Sequence, residues 1–258
     1  MKPGLSTACF YPMQTEKALA KVGKLGFAST EVFFNSTSEL DIGFLKKLNQ
    51  IQTQYGISMN SVHPMASFAE SYMLFSTYMR RFYDTVEMYK YYFEAANILG
   101  AKIVVIHGSR APGVIEPHEY YERFGTLIEE GLKQGITVAH ENVVGTMGQS
   151  PKCMVDIKNA IGNNFKMVLD IKQAIRSGYT PNEFVDALND RIVQVHISDH
   201  NGENDCLPPG QGDFDFAKFI KILDDKGYKG DYIIELYRDS FLNDEQLIES
   251  RKYIENLI

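Results

Sequence analysis

MVLDIKQAIRSGYTPNEFVDALNDRIVQVHI occupies residues 167–197. It opens on a short apolar run, Met167–Asp170, and closes on another, Ile192–Ile197. Between them, Ile171–Ser177 and Pro181–Leu188 carry a weak helical period. A strand, a helical crossover and a second strand form a unit whose strands run parallel. Each strand has an ionisable residue near its C-terminal end, Asp170 in one and His196 in the other.

The same alternation extends outward. Strand candidates Leu5–Phe10, Thr30–Phe34, Ile57–His63, Lys102–His107 and Ile136–Glu141 precede this unit, and Tyr232–Leu236 follows it. Helical patterns cover residues 16–25, 39–55, 71–99, 117–134, 151–161, 214–226 and 244–256. Thr15 is the expected cap of the first, and Gly26, Gly56, Gly100 and Gly135 are expected helix stops. Eight strands alternating with helices in 258 residues predict an α/β fold, a single (β/α)8 TIM barrel, with one domain over residues 1–258. An open doubly wound sheet is the rival. No Gly-x-Gly-x-x-Gly follows the first strand, as a dinucleotide-binding sheet would require.

The composition is that of an ordinary globular chain, with 44% hydrophobic and 23% charged residues. A formal net charge of −7 argues against sequence-independent binding to nucleic acid, which depends on Lys and Arg meeting phosphates. The three cysteines, Cys9, Cys153 and Cys206, are odd in number and lack CxxC spacing. That favours a reducing, cytoplasmic setting over a disulfide framework. Neither a signal-peptide pattern nor an apolar run of membrane-spanning length is evident, so no membrane partner is expected.

The strands are apolar, yet many end in a charged or imidazole side chain. His63, His107, Glu141, Asp170, His196 and Glu235 all fall near strand ends, and Glu31 lies within the second strand. Parallel strands closed into a barrel bring such ends together at the C-terminal face, where barrel enzymes keep their active sites. Three carboxylates crowded there repel one another, and a divalent cation is the simplest compensation. Mixed carboxylate and imidazole ligands suit Mn²⁺, Zn²⁺, Co²⁺ or Fe²⁺. Glu141, Asp170, His196 and Glu235 are thus the expected ligands of one divalent metal (Mg²⁺ completes the candidate ions). Each residue also has a plainer reading. His63 or His107 alone fits a hydrogen-bonded core histidine, Asp170 fits a helix N-cap, and Glu31 fits a structural ion-pair partner.

Five segments carry a family resemblance: His-Glu-Asn at 140–142, Val-Leu-Asp at 168–170, Val-His-Ile-Ser-Asp at 195–199, Gly-Gln-Gly-Asp-Phe-Asp-Phe at 210–216 and Ile-Ile-Glu-Leu at 233–236. In order and spacing the chain resembles the xylose isomerase-like TIM barrel superfamily, which holds sugar and sugar-phosphate isomerases and epimerases as well as endonuclease IV. The resemblance implies one metal on Glu141, Asp170, His196 and Glu235, with the two glutamates doubling as the acid–base pair. It aligns His63 and His107 with histidines that bind a further zinc in endonuclease IV. The chain also departs from the pattern. Gln173 replaces the histidine of the usual Asp-x-x-His, and Asn204 and Cys206 stand where endonuclease IV has zinc ligands. The expected substrate-gripping arginine after the metal histidine is absent from Asn201, Gly202 and Glu203.

The implied activity is that of a metal-dependent isomerase or epimerase acting on a sugar, sugar phosphate or related polyol or keto compound, by proton transfer through an enediolate. The alternative is a dehydratase or lyase on a keto-polyol or sugar acid. An endonuclease IV-type phosphodiesterase is disfavoured by the charge and the altered third site, and a non-catalytic sugar-binding barrel would not need the metal. His63, His107, Lys172 and Arg238 are the candidate substrate-binding residues; Arg110 is a further cation just past a strand end. The partner is a small-molecule carbohydrate. The aromatic segment Tyr89–Phe93 suits either a homo-oligomer contact or the helix core.

Overall fold

The computed structural model describes residues 1–65, 69–110 and 115–258. Its eight strands are β1 (Pro3–Ser6), β2 (Ser29–Phe33), β3 (Ser58–His63), β4 (Ile103–Ile106), β5 (Thr137–Glu141), β6 (Lys166–Asp170), β7 (Ile192–Ile197) and β8 (Tyr232–Ile234). Every strand pairs in parallel with the next, and β1 pairs with β8, closing the expected (β/α)8 barrel. The helices are α1 (Thr15–Lys24), α2 (Ile42–Tyr55), α3 (Glu70–Met73), α4 (Met79–Leu99), α5 (Pro117–Lys133), α6 (Pro151–Ile161), α7 (Ile171–Arg176), α8 (Pro181–Leu188), α9 (Phe216–Asp225) and α10 (Asp244–Glu255).

Several boundaries differ from the sequence pattern for local reasons. The first strand stops at Ser6, whose hydroxyl accepts from the Ala8 amide and starts a 3₁₀ turn over Thr7–Phe10. Thr15 is the first residue of α1 and not its cap; its hydroxyl donates to Glu39 instead. The pattern over 39–55 divides at Asp41, which caps α2 through the Gly43 amide. The long pattern over 71–99 divides into α3 and α4. Helices α2 and α4 do end at Gly56 and Gly100, each left-handed with φ of 66° and 79°.

Two layers of packing position the site. The larger lies between the sheet and the helices. Tyr89, Tyr92 and Phe93 are fully buried there, so this part of the Tyr89–Phe93 segment serves the helix core, and Tyr91 alone is well exposed. A smaller, separate cluster holds Ile103, Val105, Ala139 and Val168. These residues stand two or four positions before His107, Glu141 and Asp170, on the same face of their strands by the two-residue period. The apolar barrel interior is therefore the floor beneath the polar strand ends. Two register shifts interrupt the ladders, one between Thr30 and Glu31 and one between Met167 and Val168. Such bulges re-aim the residues that follow, here Glu31 and the approach to Asp170.

Candidate metal centre and active site

Glu141 ends β5 and Asp170 ends β6, while His196 sits one residue before the end of β7 and Glu235 just past β8. The backbone ends of β5 and β6 are fixed to each other by Asn142, whose side chain accepts from the Asp170 amide at 2.7 Å and donates to the Asp170 carbonyl at 2.9 Å. This gives the Asn of the His-Glu-Asn motif a role that its sequence does not announce. His140, the first residue of that motif, points to the helix layer. It bonds Tyr120 at 2.6 Å, and burial pushes its imidazole down to about 4.

One ligand-capable atom from each of Glu141, Asp170, His196 and Glu235 lies within 4.8 Å of all the others. His196 Nδ1 is 3.4 Å from Glu141 Oε1, 3.4 Å from Glu235 Oε2 and 3.9 Å from Asp170 Oδ2. Glu141, Asp170 and His196 are almost completely buried, and Glu235 opens slightly toward solvent. Among the described residues, buried Glu141 Oε2, Asp170 Oδ2 and His196 Nδ1 have no hydrogen-bond partner. Buried polar atoms are ordinarily paired; these have only charged or imidazole neighbours, Lys172 beside Asp170 Oδ2 and His63 and His107 beside Glu141 Oε2, and could serve a cation. Two carboxylates, a third at the mouth and one imidazole form a donor set suited to a divalent ion.

Asp170 is the helix cap expected of it. Its Oδ1 accepts from the Gln173 amide at 2.8 Å and caps α7, which leaves Oδ2 for the cluster. Burial and the neighbouring Glu141 and Glu235 push this carboxyl up to about 7 against the pull of Lys172. Burial also raises Glu141 and Glu235, but it is outweighed. His107, with His196 and His63, holds Glu141 well below the usual carboxylate range, and Lys172 with His196 does the same for Glu235.

Lys172 is buried, with Nζ 3.3 Å from Asp170 Oδ2 and 3.2 Å from Glu235 Oε2. These two carboxylates overcome the cost of burial and keep the ammonium charged. The Tyr237 ring covers it at 5.1 Å and is itself held by Arg176, which donates to the Tyr237 hydroxyl at 2.6 Å and to both oxygens of Asp205. His63 and His107 meet across 2.9 Å, and their Nε2 atoms lie 3.6 Å and 3.1 Å from Glu141 Oε2. Burial pulls the His107 imidazolium down, but Glu141 prevails and raises it to about 9. Phe33 stacks on His63 at 4.6 Å. Around these groups lies a cavity of about 200 Å³, lined also by Ala8, Gln173 and Leu236.

Not every candidate joins it. Arg238 is exposed and turns its guanidinium to the Phe241 carbonyl and ring, so its place as a substrate-binding residue is not supported by the geometry. Gln173 takes a backbone role on one side, accepting from the Val144 amide. Cys206 belongs to no metal-capable group of His, Cys, Asp and Glu among the described residues. Tyr237 and Phe33 escaped the sequence reading; their only signal was an aromatic residue at or just past a strand end. Glu31 was visible as a charge inside a strand. The structure pairs it with His196, Nε2 to Oε2 at 3.2 Å, and this neighbour outweighs burial to hold the carboxylate below its usual range.

A family model described as xylose isomerase-like TIM barrel matches residues 19–257. The chain belongs to the xylose isomerase-like TIM barrel family. Within this family it is 21% identical over 261 residues to the fructoselysine 3-epimerase of Escherichia coli O157:H7, covering 96% of this chain and 94% of that protein. It is 22% identical over 276 residues to the inosose dehydratase of Clostridium botulinum (strain Alaska E43 / Type E3), covering 93% and 88%. A solved D-tagatose 3-epimerase-like protein superposes with a TM-score of 0.81 at 24% identity, covering 100% of this chain and 97% of that one. Of the proteins named here, one is an epimerase, one a dehydratase and one an epimerase-like structure.

Proposed function

We propose that this chain is a metal-dependent isomerase or epimerase of a sugar or related keto-polyol, moving a proton next to a carbonyl through an enediolate. The observation that carries this reading is the set of buried atoms on Glu141, Asp170 and His196 that lack a hydrogen-bond partner among the described residues, gathered with Glu235 beside a small cavity that Glu141 and Glu235 line. A divalent ion held by these four residues would act as a Lewis acid on the carbonyl and the adjacent hydroxyl of the substrate. Glu141 and Glu235 approach from different strands and serve as the acid–base pair, one taking the C–H proton and the other returning it. His63 and His107 line the same cavity beside Glu141 and would hold substrate oxygens. Phe33, Leu236 and Tyr237 narrow the mouth and keep water from the reacting carbon. The free state of Cys9, Cys153 and Cys206 supports a reducing compartment, and among the described residues no helix is long and apolar enough to cross a membrane.

The test is incubation of the manganese-loaded protein with keto sugars and keto-polyols in D₂O, followed by NMR. Wash-in of one deuterium with a new epimer or isomer supports the reading; no exchange with any of them, with metal bound, overturns it. Removal of metal by a chelator should abolish turnover. At free metal a hundredfold above Kd, binding adds about 2.7 kcal/mol to stability. The melting temperature should therefore rise by about 5–10 °C on reloading, and an unchanged value would remove the metal from the reading.

Lys172 favours a second reading, a dehydratase. Its ammonium touches Glu235 at the cavity wall, where it can protonate a departing hydroxyl. Loss of water in the same NMR experiment separates this from epimerisation. Under either reading, Lys172→Met removes a charged contact worth about 1.5–3 kcal/mol, so kcat/KM should fall about ten- to a hundredfold. Unaltered kinetics would take Lys172 out of the site.

A further inference from the structure

Glu31 is fully buried inside the barrel, yet no Lys or Arg is among its hydrogen-bond partners in the described residues. Such a carboxylate is costly to bury unless its lone pairs are satisfied. Four groups converge on it. Ser6 donates to Oε1 at 3.2 Å, and Ser61 donates to Oε2 at 2.7 Å. These serines are the residues directly across from Glu31 on the two neighbouring strands. Gln194 Nε2 donates to Oε2 at 2.9 Å, and the Gln194 carbonyl is in turn held by the Asn60 amide. The fourth is His196 Nε2, at 3.2 Å. The register shift between Thr30 and Glu31 lies immediately before this residue, so the strand is bent where the carboxylate is aimed. The outcome is a fixed anion from β2 behind a ring on β7, with the other ring nitrogen facing Glu141, Asp170 and Glu235.

We propose that Glu31 is a positioning residue for the metal centre: it keeps the His196 proton on Nε2 and so presents a bare Nδ1 to the metal. The inference rests on the four-residue metal reading above and extends it one layer outward. A carboxylate behind a ligating imidazole fixes the tautomer, orients the ring and raises its basicity. The rival arrangement is visible in the same network. Gln194 Nε2 also lies 2.7 Å from His196 Nε2; were it donating there, the proton would sit on Nδ1 and the ring could not ligate from that side. The carboxylate, a full negative charge, favours the first arrangement over the amide. The two serines and Gln194 hold that carboxylate in place.

The test uses zinc binding to the full chain by calorimetry, with ¹⁵N-histidine NMR of the zinc-loaded protein. Wild type should show His196 protonated at Nε2 and metal-bound at Nδ1. Glu31→Gln keeps an acceptor without the charge, and its zinc Kd should rise about tenfold; Glu31→Ala loses both, and its Kd should rise about a hundredfold. A merely structural role would lower the melting temperature of the metal-free protein without changing either the zinc Kd of the folded fraction or the wild-type tautomer. Zinc binding in wild type with equal Kd in the variants, or ligation through Nε2, overturns this inference alone. Absence of zinc binding in wild type overturns both it and the metal reading. Should Glu31→Ala fail to fold, Glu31→Gln and the wild-type tautomer decide.

Discussion

Glu141→Gln and Glu235→Gln should each lower kcat by about 10²–10⁴-fold while leaving a folded barrel, because each removes a group that carries a proton in the proposed reaction. The two should differ in what else they lose. Glu141 is buried and belongs to both metal-capable groups, with His63 and His107 on one side and His196 on the other. Its replacement should also strip most of the bound metal. Glu235 is the more open of the two and leans on Lys172, so Glu235→Gln should keep metal on Glu141, Asp170 and His196. Measured metal content beside single-turnover rates checks this. Full turnover in both variants with metal still bound would sink the acid–base assignment. Deuterium exchange retained in one variant without product would instead identify which glutamate takes the first proton.

The largest loss of stability should come from Asp199→Ala, three residues beyond His196. The Asp199 carboxylate is buried and accepts four backbone amides: His200 at 2.8 Å and Phe214 at 3.0 Å on Oδ1, Gly210 at 2.9 Å and Gly212 at 2.9 Å on Oδ2. A hydrogen bond to a charged group contributes about 1.5–3 kcal/mol, and an orphaned buried amide costs about 1–3 kcal/mol. Some of these amides will find water, so a net loss of about 3–5 kcal/mol is expected. For a chain of this length that lowers the melting temperature by about 10 °C. Asp199→Asn, which keeps one acceptor oxygen, should fall between. A shift under about 2 °C for Asp199→Ala would mean that the loop is held by something else. The same contacts join two of the motifs in space. The Asp that ends Val-His-Ile-Ser-Asp is the clamp for Gly-Gln-Gly-Asp-Phe-Asp-Phe, and a Cβ on Gly212 would sit 2.5 Å from Asp199 Oδ1. That segment is a clamped turn into α9, and the lining of the 200 Å³ cavity does not include it.

Much of this architecture could be read from residue order. Val-Leu-Asp, Val-His and Ile-Ile-Glu show apolar runs with polar ends, and the parallel sense of strands joined by helices sends all those ends to one face. Glu141, Asp170, His196 and Glu235 could be gathered on that argument alone, since it needs only local periodicity and chain direction. Individual atoms could not be assigned that way. Asp170 divides its oxygens between the Gln173 amide and the cluster, His196 divides its nitrogens between Glu31 and the cluster, and Arg238 swings to Phe241 although it stands close to Glu235 in sequence. Glu31 and His196 are 165 residues apart and meet only because the barrel closes and a register shift bends β2 beneath β7's imidazole. The sequence alone determined which side chains end the strands, because a two-residue period and a common strand direction are local properties. Only the tertiary structure decided which atom of each meets which partner, because that depends on closure, register and rotamer, and these are set by packing between segments far apart in the chain.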